Sequence, residues 1–231
     1  MLCMKRIGEC VLIVLLLALA VFLSGREPQH SPFSVDGETP LARAERVPAF
    51  VRGDGTNYVQ SRGPFTSAHW YPEGLTVIPD AEVAPDGTRT AVQLVEKDGA
   101  RIHRIIANLS SMTPASARTL SLYVKRGERA AIQFEMADSP TANYGIARFD
   151  LLKEQVVAEI GDVTDVGIQK LPGGWYRCWV VMPYAKATEG FNFALMDQND
   201  LVDYPGNSGS GLFVWGVQFE PGNEPRGYSG P

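Results

Sequence analysis

The chain has 231 residues, 45% of them hydrophobic and 20% charged, the balance of a globular domain with enough apolar material for a core. Its net charge is −5 and no Lys/Arg cluster occurs, which argues against nucleic acid and against an anionic membrane surface as partners, since both need a basic footprint.

Residues 1–25 are of different material. Lys5 and Arg6 precede an apolar run from Val11 to Leu23, closed by Ser24 and Gly25, the charged and apolar regions of an export signal. The run falls short of the roughly 20 residues of a comfortable membrane span. Two outcomes stay open: cleavage near residue 25, or retention as a single anchor with residues 7–25 in the inner membrane. Either way the expected location is periplasmic, cell-envelope or secreted. Arg26 stands where a lipoprotein box carries its lipidated cysteine, which argues against lipid attachment. Cys3 and Cys10 belong to this segment, so Cys178 is left without a partner for a disulfide and reads as a small core side chain. Residues 26–56 scatter prolines and charges without a period and read as linker. The domain is expected over 57–231.

From there the chain reads as short strands and turns. "AVQLVE" (91–96) alternates. "RTLSLYVKRGERAAIQFEMAD" (118–138) reads as two strands of a hairpin turning at Arg126-Gly127-Glu128. "YGIARFDL" (144–151) and "EQVVAEI" (154–160) form the next pair, followed by 175–182, 190–196 and 211–220. Pro and Gly punctuate the intervals, and no helical period persists beyond two turns. The expected fold is all-β, a two-sheet antiparallel β-sandwich of jelly-roll type.

Residues two apart on a strand share a face. Leu120, Leu122 and Val124 share one; so do Ile132, Phe134 and Met136; so do Cys178, Val180 and Met182; so do Phe191, Phe193 and Leu195. On the last strand the same parity assigns Phe213, Trp215, Val217 and Phe219 to the interior. The opposite faces are not an ordinary Lys/Glu/Thr coat. They carry Tyr123, Gln133, Glu135, Arg177, Trp179, Asn192 and Gln218, flat rings mixed with amides, a guanidinium and a carboxylate. A pyranose presents an apolar C–H face to a ring and hydroxyls to planar polar groups, so this set is the candidate glycan-binding face, with stacking on Trp179 and Tyr123. Gly216 would leave room for a ligand beside the backbone. The function expected is non-catalytic binding of a polysaccharide or cell-surface glycan; the alternative is a structural or adhesive envelope protein using the same face for protein contact. The sequence does not fix the oligomeric state.

"NYVQSRGPFTSAHWY", "AEVAPDGTRTAVQLVE", "LSLYVKRGER", "GGWYRCWVVM" and "GLFVWGVQFEPGNEPRGY" resemble, in order, the blocks of a carbohydrate-binding-like jelly-roll domain found in phage tail proteins and bacterial secreted or surface proteins. The resemblance spans roughly residues 57–228. It implies a structural role for Trp175, Arg177, Trp215 and Glu220, which match the recurrent pattern, and sets Trp179 apart, where the family usually has a small or polar residue. The export segment departs from phage relatives and implies a cellular envelope protein. Jelly-roll glycan binders often carry a structural calcium, for which Asp80, Glu82, Asp86, Asp197, Asn199, Asp200 and Asp203 offer oxygen ligands.

A polysaccharide lyase or glycosidase is the less favoured class. A glycosidase needs two carboxylates about 5–10 Å apart on one sugar bond. Glu135 with Glu220 is the pair on offer, and Glu135 with Asp138 would point to opposite faces. Tyr123, His103 and Arg177 are lyase-type residues with no spacing that joins them. His30, His69 and His103 are isolated, so zinc is not expected.

Overall fold

The computed structural model describes residues 57–59, 65, 70–109, 117–138, 143–183 and 190–229. The export segment, the linker and His69 lie outside them. Twelve strands follow in chain order: β1 (Trp70–Glu73), β2 (Leu75–Glu82), β3 (Ala91–Glu96), β4 (Arg104–Asn108), β5 (Arg118–Arg126), β6 (Ala131–Asp138), β7 (Asn143–Asp150), β8 (Gln155–Gly161), β9 (Asp165–Lys170), β10 (Trp175–Met182), β11 (Gly190–Met196) and β12 (Gly211–Pro221). The one helical turn among the described residues is a 3-10 turn at Pro172–Gly174.

The strands form two six-stranded antiparallel sheets. The first runs β1-β4-β11-β6-β7-β8 and the second β2-β3-β12-β5-β10-β9. Most connections pass from one sheet to the other, as in a jelly roll. The inner faces meet as the alternation demands: Leu122, Val124, Cys178, Val180 and Phe219 from the second sheet pack against Ile105, Phe134, Phe149 and Phe193 from the first. Burying each large side chain contributes about 2–3 kcal/mol, and that core holds the domain without a disulfide. Cys178 is fully buried and free, and burial pushes its thiol well up, so it is a core side chain and not a reactive one.

Two features correct the expectations from sequence. First, β5 and β6 are not a hairpin. Both edges of β5 are taken, by β10 and by β12, so neither is free for β6. The turn after β5 is instead pinned to the start of β12, where Arg129 N donates to Gly211 O at 2.9 Å, and the chain crosses into the first sheet. Second, β12 carries a bulge. Its register on β5 shifts between Trp215 and Gln218, and Gly216 takes a left-handed φ of 63°. Parity therefore reverses partway along the strand. Leu212 and Val214 face inward before the bulge, Val217 and Phe219 after it, and Phe213 and Trp215 turn to the outer face. The space beside Gly216 is not open: a Cβ there would lie 3.0 Å from Tyr123 and 3.1 Å from Tyr228. Asn57 is tied to this point, donating to Val217 O at 3.2 Å and accepting from Phe219 N at 3.0 Å.

Candidate functional site

The seven side chains picked from sequence do not share one face. Tyr123, Arg177, Trp179 and Gln218 stand on the outer face of the second sheet; Gln133, Glu135 and Asn192 stand on that of the first. All seven are buried.

On the second sheet the expected stacking surface is covered, because buried polar groups require partners and the chain's own C-terminal segment supplies them. Arg177 Nη2 donates to Arg226 O, Gln218 Nε2 to Gly227 O at 3.3 Å, Ser229 N to Gln218 Oε1 at 2.9 Å, and Arg226 N to Glu220 Oε1 at 3.1 Å. The Tyr228 ring lies 4.5 Å from that of Trp215 and 6.2 Å from that of Tyr123. Burial raises the Tyr123 hydroxyl and lowers the Arg177 guanidinium, whose charge sits 5.4 Å from the Tyr123 ring. Trp179 is fully buried further along β10, with its indole N–H on Asp165 Oδ2 at 2.9 Å. Trp175 closes the same side of the sheet, donating to Val83 O at 3.0 Å. The aromatic half of the expected site is thus an outer core.

The first sheet keeps a polar outer face. Register aligns Tyr71, Ile106, Asn192, Glu135 and Ile146 in one row across β1, β4, β11, β6 and β7. The adjacent row holds Glu73, Arg104, Ala194, Gln133 and Arg148. Asn192 and Glu135 are direct cross-strand partners, and the Asn192 side chain hydrogen-bonds the Glu135 carboxyl. Burial holds that carboxyl above the usual glutamate range, against the opposing pull of Asn192 and of the Arg104 charge. Arg148 Nε donates to Gln133 Oε1 at 2.8 Å, and its Nη1 reaches Asp200 O at 3.4 Å. Arg104 Nε donates to Glu73 Oε2 at 2.7 Å. Tyr71, Ile106, Tyr144 and Arg148 are half-buried and give this face its partly open rim.

Arg104, Arg148 and Tyr71 were not singled out from sequence. Five-residue β4 and four-residue β1, with Pro72 inside it, are too short to declare a period. Arg148 was legible, two residues after Ile146 on an alternating strand.

The catalytic pairings do not form. Glu135 and Glu220 belong to different sheets. His103 lies buried beside Tyr204, with its ring nitrogens at 3.0 Å from Gly74 O and 3.2 Å from Tyr204 O, apart from Tyr123 and Arg177. The calcium candidates do not gather either. Asp197 accepts from Asn199 N and Leu201 N in its own loop, Asp203 pairs with Arg101, Glu82 with Lys125, and Asp86 with Thr88. Among the described residues no three His, Cys, Asp or Glu side chains are placed to hold a metal ion.

No protein-family model and no curated protein matches the chain. Among solved structures it is similar to the enzymatically active domain of tailspike protein 4 of bacteriophage CBA120, with 14% identity and a TM-score of 0.38 over 73% of this chain. The chain spans only 21% of that tailspike chain. It is also similar to TmCBM27, a carbohydrate-binding module described for specific mannan recognition, with 13% identity and a TM-score of 0.34 over 76% of this chain and 100% of the module. At this distance the likeness concerns the β-sandwich alone.

Proposed function

We propose that the outer face of the first sheet binds a polysaccharide or cell-surface glycan without cleaving it, as the exported module of an envelope or secreted protein. One observation carries the reading. The planar polar side chains of Gln133, Glu135 and Asn192 come together on adjacent β6 and β11, between Arg104 and Arg148, with the half-buried Tyr71 and Tyr144 on the same face. Amides and guanidinium groups match vicinal hydroxyls, and a tyrosine ring offers a surface for a sugar C–H face. The export segment supports the location. Glu135 has no carboxylate partner from Glu220, which favours binding over hydrolysis.

A few hydrogen bonds and one or two ring contacts at about 1 kcal/mol each give micromolar to millimolar affinity. The test is calorimetric titration with neutral and acidic glycan oligomers, mannan oligomers first. Asn192→Ala and Gln133→Ala are expected to weaken binding about 5- to 10-fold, while Trp179→Phe leaves it unchanged. No heat from wild-type protein with any glycan would end the proposal.

A further inference from the structure

Arg104 is a buried cation with unused capacity. Only 6% of its surface is exposed. Glu73 engages it through Nε alone, and among the described residues Nη2 has no hydrogen-bond partner. A buried guanidinium N–H without an acceptor is uncommon, and it marks a place where a ligand or water completes the site. The register puts Arg104 beside Ala194, whose methyl is the smallest side chain of that row, with Gln133 on the far side and Asn192 and Glu135 in the next row. The unengaged edge therefore belongs to the same face as the planar polar groups.

An alcohol accepts one hydrogen bond from such an edge. A carboxylate accepts two, with opposite charge, in the fork geometry that distinguishes arginine from lysine. The competing anions are limited. Glu73 is half-exposed and already placed on Nε, and Glu135 stands in the next row, engaged by the Asn192 side chain, with burial holding its carboxyl above the usual glutamate range. Arg148 adds a second cation on the row.

We propose that the Arg104 edge receives the carboxylate of an acidic sugar unit, so that the ligand of this face is a carboxylate-bearing glycan. The proposal rests on the glycan-binding reading above and narrows it.

The experiment titrates wild-type protein with short oligomers of galacturonate and of mannuronate, with their methyl esters, and with neutral mannan oligomers. The acid of at least one pair is expected to bind about tenfold or more tightly than its ester. Arg104→Gln should abolish that preference, weakening acid binding by about tenfold more than it weakens ester binding; Arg104→Lys should keep a salt-sensitive attraction but lose most of the preference. Thermal unfolding establishes that both variants fold. Should Arg104→Gln not fold, the salt dependence of wild-type binding decides, since acid binding must weaken with salt more than ester binding does. Equal binding of acid and ester, or a preference that survives Arg104→Gln, overturns this proposal and leaves glycan binding standing. Silence from every acidic and neutral probe overturns both.

Discussion

Gly167 of β9 and Trp179 of β10 are cross-strand partners, and the indole fills the space a side chain at 167 would take: a Cβ there would lie 2.0 Å from Trp179 Cζ2. Gly167→Ala therefore forces a fully buried ring to move. It is expected to destabilise the domain by about 1–3 kcal/mol, the usual cost of overpacking, measured by denaturant unfolding. In a Trp179→Leu background the same alanine should cost less, and the double-mutant cycle reads the difference.

Glu135 gives a pH signature of one sign. Its carboxyl is raised in the folded state by burial, so its contribution is fully present below the unfolded value and is lost as pH rises through the folded value. Glu135→Gln should therefore be more stable than wild type at neutral pH and equal to it near pH 3. Melting temperatures across that range check the sign. A variant that is less stable at neutral pH would refute it.

Glu96 gives the opposite sign. Burial alone would raise its carboxyl, but hydrogen bonds from Arg129, Tyr204 and Asn207 N outweigh burial and hold it below the usual range. Its contribution is present above the unfolded value, about 4.3, and is lost as pH falls through the folded one. Tyr204→Phe removes the bond from the phenol at 2.6 Å, which should cost about 1–3 kcal/mol at neutral pH and flatten the acid side of the stability curve.

The C-terminal cover is a fourth measurable element. Tyr228→Ala should expose the Trp215 ring, shift tryptophan emission to the red and destabilise by about 1–2 kcal/mol. Glycan affinity should not change, because Tyr228 stands against the second sheet.

Much of the fold was legible because the alternation is strong wherever a strand has one apolar face. β5, β6, β10 and β11 turn as read, with Phe134, Cys178 and Phe193 inward and Tyr123, Arg177 and Asn192 outward. What alternation does not encode is which sheet a strand joins. Gln133 and Arg177 are both outward, yet they face away from each other on opposite sides of the sandwich. Nor does it reveal cover: Tyr123 and Trp179 look like a sugar platform until residues 226–229 and the Gly167 contact are placed. β9 escaped notice because Gly167 interrupts its apolar run for the sake of Trp179, a partner in the next strand.

The kink at Gly216 lets one strand serve two separate apolar assemblies, the interior through Leu212, Val214 and Phe219 and the outer aromatic layer through Phe213 and Trp215. Those layers are thereby mechanically joined. Excising that single residue would rotate half the strand against its neighbours, pulling rings out of one assembly while driving them into the other. Tolerance to length change in this segment should consequently be far lower than in any surface turn of the domain.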